Sequence, residues 1–277
     1  MKFTKLTKKL LLSALSLGLA VVTLTTTTFA WYTTNTEVSA AAKGSTSGVS
    51  NDTSLLISDA ANGTFGPSVN LNKVAKDLLP VQWVDGATDN VNQFQDKGGV
   101  VSTDVIAITV YFKISQAVDK VTNIYLSNLT IENSGSLDPY DNLASSNTIE
   151  GCPTGPYTVD AVNALDLVIN NVAYDLTGKM GATAAANFNG TPNAITYYNE
   201  VMGSDNAIAE DGETADFETF DYETMDPVAT IAAQETTASV TIYLYLNGWD
   251  KYCFDACRGQ DFDITLNFTT VKPGTEE

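Results

Sequence analysis

The sequence contains no histidine, and this absence excludes several classes of enzyme. Histidine is the commonest general base and the commonest zinc ligand in proteins. Without it, neither a Ser-His-Asp nor a Cys-His catalytic centre can form, nor the HExxH site of a metalloprotease. Glycosidases use a pair of carboxylates, but among 33 acidic side chains such pairs are unavoidable. Their presence therefore does not indicate a glycosidase. We therefore predict that the protein is not an enzyme.

Basic residues are also scarce, with 14 Lys and Arg against 33 Asp and Glu and a net charge of −19. Nucleic acids and anionic membranes are bound through cationic surfaces, which a chain of this charge does not favour. The sequence therefore predicts no nucleic-acid partner and no anionic membrane surface as a ligand. A charge of this sign is compatible with an acidic protein of a cell surface or an extracellular matrix.

Cysteine is too rare for a scaffold held together by disulfides, because only three are present. Cys253 and Cys257 are four positions apart, and Cys152 is distant from both. In an oxidising exterior we favour a local Cys253–Cys257 bridge. Two alternatives stay open from the sequence: a bridge from Cys152 to one of the other two, or thiols throughout.

The apolar run Leu10–Val22 is shorter than the ~20 residues that span a bilayer comfortably. Four lysines precede it, and Thr28-Phe29-Ala30 follows. A basic start, a short apolar middle and a small residue at the cleavage site describe a secretory signal peptide. We predict a signal peptide at residues 1–30, with Val38-Ser39-Ala40 as a second possible cleavage site. The protein is then secreted and meets signal peptidase during export, and an uncleaved signal would be its link to the membrane.

Alternation of apolar and polar residues predicts strands through most of the remaining chain. The clear strands are Asp104–Ser115, Asn123–Ile131, Ala164–Val172, Ser239–Asn247 and Asp261–Thr270; the weaker ones are Ser54–Ser58, Leu78–Val84 and Phe217–Tyr222. Phase changes predict a β-bulge near Ser127-Asn128 and a similar slip at Asn170-Asn171. Ser239–Asn247 and Asp261–Thr270 are expected to be antiparallel neighbours. Val69–Leu79 is the best candidate for a short helix.

Many strands without alternating helices predict an all-β protein, a β-sandwich of the jelly-roll or Greek-key type with at most short helices. The predicted organisation comprises a signal peptide (1–30), a strand-prone segment and linker (31–53), one sandwich domain (54–272) and a tail (273–277). Within 31–53, the stretch 41–52 is small and polar and is expected to be a flexible linker. The domain has long loops at 132–159 and 177–235, and loops of this length are usually functional or disordered.

The stretch 205–226 holds nine acidic residues and no Lys or Arg. Calcium is bound by six to eight oxygens, which Asp205, Asp211, Glu213 and Asp216 could supply together with Asn206. The spacing does not match an EF-hand loop, so a solvated acidic loop is the preferred interpretation. We therefore predict no cofactor, with calcium as the alternative.

Aromatic residues on the outer face of Ser239–Asn247 suggest a surface role. Tyr243 and Tyr245 could stack on sugars, seal a protein interface or be covered by another segment, and the last interpretation is preferred. Trp249 and Tyr252 are expected to cap the end of the sandwich.

Trp31–Val38 is rich in Thr, aromatic and Val residues, which favour a strand. Such a segment can complete the sheet of a neighbouring subunit, and a head-to-tail contact of this kind generates a filament. The alternatives are an ordinary first strand or an unstructured stub. The assembly residues of this hypothesis are Trp31, Tyr32, Thr34, Thr36 and Val38.

Thr28-Phe29-Ala30 followed by Trp31-Tyr32-Thr33-Thr34-Asn35 resembles the start of SipW-dependent secreted proteins of Gram-positive bacteria. This TasA/camelysin-like family supplies biofilm-matrix fibres. The resemblance implies a jelly-roll domain and self-association into fibres. The metallopeptidase classification given to camelysin-like proteins does not carry over, because this chain has no histidine. The alternative function is a cell-surface adhesin that binds a glycan or a host protein.

Overall fold

The computed structural model describes residues 40–46, 49–50, 53–73, 78–84, 93–96, 98–134, 160–176, 216–250, 252–253, 257 and 260–274. More than half of these residues are in β-strands, and a 3₁₀ turn at Ala161–Ala164 precedes one of them. The strands are β1 (Ala40–Thr46), β2 (Val49–Ser50), β3 (Thr53–Ser58), β4 (Ser68–Lys73), β5 (Gln82–Val84), β6 (Gln93–Gln95), β7 (Ile106–Ile114), β8 (Thr122–Asn133), β9 (Leu165–Ile169), β10 (Val172–Asp175), β11 (Phe217–Thr219), β12 (Ala229–Ile231), β13 (Thr237–Leu246) and β14 (Phe262–Thr269). The predicted all-β class is confirmed.

Two sheets and a small hairpin contain these strands. The five-stranded sheet has the order β12-β8-β14-β1-β4, and the seven-stranded sheet has the order β11-β10-β9-β13-β7-β3-β2. β5 and β6 form a separate antiparallel pair. Most neighbours are antiparallel, whereas β1 runs parallel to β14 and β10 runs parallel to β11. The chain therefore forms a β-sandwich with a small hairpin added to it.

The main core lies between the two sheets and is built from the predicted alternation. β7 and β14 each alternate buried and less buried residues, as the pattern in the sequence requires. The ring centroids of Phe112 on β7 and Phe268 on β14 lie 4.9 Å apart, edge to face, so the two sheets meet there. The predicted inward faces of Asp104–Ser115, Ser239–Asn247 and Asp261–Thr270 are confirmed.

The predicted bulge in β8 is confirmed. Asn267 pairs with Asn128 and Phe268 pairs with Leu126, which leaves Ser127 as the extra residue. The buried positions of β8 change phase across this point, from Ile124 and Leu126 to Leu129 and Ile131.

The predicted slip at Asn170-Asn171 is corrected to a hairpin turn. Both asparagines have positive φ, 51° and 67°. Val172 pairs with Ile169 across them, so β9 and β10 are joined by a two-residue loop. Asparagine tolerates positive φ, and two such residues in a row are the backbone of a type I′ hairpin. The phase change in the sequence therefore marked a reversal of the chain.

The prediction that Ser239–Asn247 and Asp261–Thr270 are neighbours is wrong. β13 belongs to the seven-stranded sheet and pairs with β7 and β9, whereas β14 belongs to the five-stranded sheet and pairs with β8 and β1. Both strands bury one face in the same core, but from opposite sides. Alternation identifies the buried face of a strand without specifying which sheet contains it.

The predicted helix at Val69–Leu79 is also corrected. Residues Ser68–Lys73 form β4, which pairs with β1, and Leu78 is buried in the main core. Val69 and Leu71 are spaced for a strand as well as for a helix, and a neighbouring strand decides between the two. Of the weaker candidates, Ser54–Ser58 is confirmed, and Leu78–Val84 and Phe217–Tyr222 contain the short strands β5 and β11.

The expected flexible linker at 41–52 is in part a strand. β1 pairs over seven residues with β14 and over six with β4. Small and polar residues have low strand propensity, but two neighbours that both offer backbone hydrogen bonds override it. The second predicted loop, 177–235, likewise contains β11 and β12 in its last part.

Several predictions fall outside the described residues. They are the signal peptide at 1–30, the assembly residues Trp31, Tyr32, Thr34, Thr36 and Val38, most of the loop at 132–159, and Cys152. Within the part of the chain that the structure describes, no helix has the length and apolar character needed to cross a bilayer.

Candidate functional site

The outer face of the seven-stranded sheet carries a second, smaller core. Residues 81–84 and 93–96, which contain β5 and β6 and are called the aromatic flap below, lie over the ends of β9 and β13. The buried members of this outer cluster are Val81, Trp83, Phe94, Val168, Ala173 and Tyr245. β9 is consequently buried on both faces over its whole length. The local sequence Leu-Asp-Leu-Val-Ile fits this position, because a strand covered on both sides loses the simple alternation.

Aromatic rings hold the flap on the sheet. The centroid of Phe94 lies 4.9 Å from that of Trp83, 5.1 Å from that of Tyr245 and 5.7 Å from that of Tyr243, all in tilted arrangements. Tilted aromatic pairs add roughly 0.5–1.5 kcal/mol beyond the area they bury. Tyr245 has 0% of its surface exposed, so the interpretation that another segment covers the outer tyrosines is confirmed for this residue.

Backbone hydrogen bonds attach the flap to the end of β13. Val81 N–H donates to the carbonyl oxygen of Leu246 at 2.9 Å, and Gly248 N–H donates to that of Val81 at 3.0 Å. At the other end of the flap, the Asp96 carboxylate accepts hydrogen bonds from the N–H groups of Gly98 and Val100. The two bonds of Val81 therefore attach the flap to the end of β13, whereas the bonds of Asp96 close a turn within residues 96–100.

A buried carboxyl group lies beneath this attachment. Asp166 on β9 is 2% exposed. Its Oδ1 accepts a hydrogen bond from Leu176 N–H at 3.0 Å, and its Oδ2 accepts one from Asn247 Nδ2 at 2.7 Å. Burial raises the pKa of Asp166 well above its usual value, and the negative charges of Asp175 and Asp250 add to the increase. The two hydrogen bonds act in the opposite direction but are outweighed.

Asn247 connects this carboxyl group to the segment that follows β13. Its own N–H donates to the carbonyl oxygen of Ala164 at 2.8 Å, and its Oδ1 accepts a hydrogen bond from Trp249 N–H at 2.9 Å. Asp250 then accepts a hydrogen bond from Tyr252 N–H at 2.6 Å. Tyr252 packs against the main core, in agreement with its predicted role as a cap.

The predicted Cys253–Cys257 bridge is absent from the structure. Both residues are buried thiols, and Cys257 Sγ donates to the carbonyl oxygen of Tyr252 at 3.2 Å. Cys253 takes part in the main apolar core. The pair therefore contributes by packing in this structure, since buried thiols behave as small apolar side chains.

The part of the same sheet face that the flap leaves open is lined by hydroxyl groups. Thr109 and Thr241 face each other on β7 and β13, with their Oγ1 atoms 3.0 Å apart. Tyr243 is half-buried, and its register partner Ala107 is small and exposed. One side of the Tyr243 ring is thus packed on Phe94, while the neighbouring position offers little bulk.

The acidic candidates for calcium are not brought together in what the structure describes. Asp205, Asp211 and Glu213 lie outside the described residues, and Asp216 is exposed just before β11. Within the described ranges, no three His, Cys, Asp or Glu side chains form a group suited to a metal ion.

Asp166 and Asn247 are the residues that the sequence analysis missed. A single acidic residue within the apolar run Leu-Asp-Leu-Val-Ile was the available signal, because an acid there must either face water or be buried with partners. Trp83 had no comparable signal, since it lies in a three-residue strand.

No protein-family model matches the chain, and no curated protein matches it either.

Proposed function

We propose that this protein is a secreted structural subunit of an extracellular fibre or biofilm matrix, with jelly-roll connectivity and no catalytic activity. It assembles by exchange of its N-terminal strand between copies. Support comes from the basic and apolar N-terminus, the absence of histidine and the resemblance around residues 28–35. The observation that carries the proposal is the position of β1.

β1 occupies a place in the sheet that a neighbouring molecule could also fill. It lies between β14 and β4, and within the described residues it is the strand that joins β4 to the sheet. Its sequence, Ala-Ala-Ala-Lys-Gly-Ser-Thr, favours strand structure weakly. Backbone pairing therefore holds it, and any extended strand can supply the same pairing.

The preceding segment is better suited to this place. Trp31–Val38 ends two residues before β1 and is rich in residues that favour strands. Exchange of Trp31–Val38 leaves residues 39–52 as the connection to β3, which spans at most about 50 Å when extended. Copies that exchange this strand must consequently be direct neighbours. Repetition of one heterologous contact that does not close produces a filament.

Electron microscopy of the secreted protein tests this proposal. We expect filaments from the chain that begins at Trp31 and monomers from a variant that begins at Asp52. A variant that begins at Ser39 distinguishes Trp31–Val38 from β1 as the exchanged strand. A synthetic peptide of residues 31–46 should cap growing ends and shorten the filaments.

Two results would refute assembly by strand exchange: monomers of the full secreted form under all conditions tested, or filaments that persist in the variant starting at Asp52. Replacement of Val100 and Val101 by Ser serves as a matched control, because these exposed residues lie far along the chain from β1 and should leave filament yield unchanged.

The alternative function is a cell-surface adhesin for a glycan or a host protein. The hydroxyl groups of Thr109 and Thr241 and the half-buried ring of Tyr243 favour this candidate. Aromatic rings stack on sugar rings, and hydroxyl groups bond to their polar edges. Binding to a glycan array that is lost in Tyr243→Ala but kept in Lys113→Ala, without filament formation, would select the adhesin over the fibre subunit.

A further inference from the structure

We propose that the outer face of the five-stranded sheet binds an uncharged polysaccharide along β8 and β14. Residues of these strands that alternate with the buried apolar ones carry amide and hydroxyl groups. Thr130 on β8 is the register partner of Thr265 on β14. Asn128 is likewise the partner of Asn267. The surface called the amide face below consists of six half-buried side chains: Asn123, Tyr125, Asn128, Thr130, Thr265 and Asn267.

The amide face is uncharged, although the net charge of the chain is −19. Residues 121–131 and 264–271 contain no Asp, Glu, Lys or Arg. The acids that follow along these strands, Glu132 and Asp263, are register partners at one end of the face. They repel an anionic polymer, and a second copy of the protein brings the same negative charge. An uncharged ligand therefore fits this face better than either of them.

The side chains of the amide face match the hydroxyl groups of a sugar. A hydroxyl group both donates and accepts hydrogen bonds, as does the amide of Asn, whereas a carboxylate only accepts and an ammonium group only donates. Because of the spacing of strands and of residues along them, Asn128, Thr130 and their register partners form a grid of roughly 5 by 7 Å. Tyr125 follows on the same strand, and an aromatic ring can stack on the apolar side of a sugar. Several groups of the face can therefore contact adjacent sugar residues at once.

Hydrogen bonds within the amide face hold its side chains in place. Asn128 Nδ2 donates to Thr130 Oγ1 at 3.1 Å. Asn123 Nδ2 donates to the hydroxyl oxygen of Tyr125 at 3.4 Å, and its Oδ1 accepts a hydrogen bond from Thr230 Oγ1 at 3.4 Å. An Asn side chain has two amide hydrogens and a carbonyl oxygen, so each asparagine keeps further bonding capacity. A ligand that meets side chains already fixed in place loses less entropy on binding.

The strength of binding depends on how many copies act together. One copy binds weakly, because each hydrogen bond to the ligand replaces a hydrogen bond to water. A filament repeats the amide face in every subunit, and many linked weak contacts give a high avidity. This gain in avidity rests on the proposed function, whereas binding by a single copy does not. A fibre of this protein is thereby attached to an uncharged polysaccharide.

Binding of the full secreted chain to defined polysaccharides tests the proposal. The probes are insoluble cellulose and chitin in a sedimentation assay, and dextran and alginate in affinity gels. The first three polymers are uncharged, and alginate is a polyanion. We expect binding to at least one uncharged polymer and none to alginate. Binding should not weaken as the salt concentration is raised, because the contacts involve no ion pairs.

Variants locate the binding surface. Asn128→Ala removes an amide from the middle of the face and should lower the affinity by about tenfold or more. Thr130→Val combined with Thr265→Val removes two hydroxyl groups at nearly constant shape and strand propensity, so it keeps the test decisive if Asn128→Ala does not fold. Asn62→Ala, in an exposed turn after β3, is the matched control and should bind like the parent chain. Filament yield should stay unchanged in all of them, because the backbone pairing of β1 is kept; failure of this proposal is thus distinct from failure of the fibre.

Three results would overturn the proposal. The first is that none of the three uncharged polymers binds the parent chain. The second is binding that Tyr243→Ala abolishes and Asn128→Ala leaves intact, because the ligand then lies on the seven-stranded sheet. The third is self-association, measured by sedimentation, that Asn128→Ala abolishes in the absence of polymer binding. A second copy would then be the occupant of the amide face.

Discussion

The two faces of the seven-stranded sheet are buried in different ways. The inner face packs against a whole second sheet, and its contacts are apolar and extend over many strands. The outer face is covered in part by a hairpin of two three-residue strands, whose cluster is aromatic and lies beside a buried carboxyl group. The inner face therefore determines whether the domain folds. The outer face is covered by a smaller cluster, so uncovering it breaks less of the fold than separating the two sheets does.

The largest expected effect comes from Phe112→Ala on the inner face. Phe112 is fully buried, and its ring meets that of Phe268 across the sandwich. Removal of a buried Phe side chain costs about 3–5 kcal/mol. We expect a loss of that size in the free energy of unfolding, with all strands losing protection together. Lys113→Ala on the same strand is the control, expected to stay within about 0.5 kcal/mol.

A smaller and local effect is expected from Trp83→Ala in the aromatic flap. Its ring packs on Phe94, but the flap can move toward the space left behind. We expect a loss of about 2 kcal/mol, below the range for a rigid core, because partial collapse reduces the cost of the cavity. Hydrogen exchange should show the change at 81–84 and 93–96 alone. If denaturant unfolding shows a loss of free energy as large as that of Phe112→Ala, and all strands lose protection, the flap is not a separate unit.

The smallest expected effect concerns a neutral polar contact at the bulge of β8. Tyr222 OH accepts a hydrogen bond from Leu129 N–H at 2.6 Å and donates to the carbonyl oxygen of Leu129 at 3.2 Å. Burial raises the pKa of Tyr222 above its usual value of 10, so the phenol stays neutral at ordinary pH. Tyr222→Phe should cost about 1 kcal/mol, equally at pH 5 and pH 9.

The Tyr222 result sharpens the contrast with Asp166. Both residues tie separate segments together through side-chain hydrogen bonds, but Tyr222 does so with a phenol and Asp166 with a carboxyl group. A cost of Tyr222→Phe that differed between pH 5 and pH 9 would contradict a phenol that stays neutral across that range.

Prediction from the sequence succeeded where the pattern of neighbouring residues along the chain decides the local structure. The period of two in β7, β13 and β14 identified their buried faces, and the phase change in β8 located its bulge at Ser127. It failed at Asn170-Asn171, because a bulge and a two-residue turn change the phase in the same way. The outer core was not predicted, since its strands β5 and β6 are too short to show a period.

The amino-acid sequence by itself determined the all-β class, the faces that the long strands bury and the absence of histidine chemistry, because these depend on composition and on neighbours along the chain. Only the tertiary structure decided that β13 and β14 lie in opposite sheets, that weakly strand-forming residues occupy the place between β14 and β4, and that Asp166 is buried under the flap. Each of these depends on residues that are far apart in sequence. Their strands pair, and water is excluded from between them, only when the chain folds.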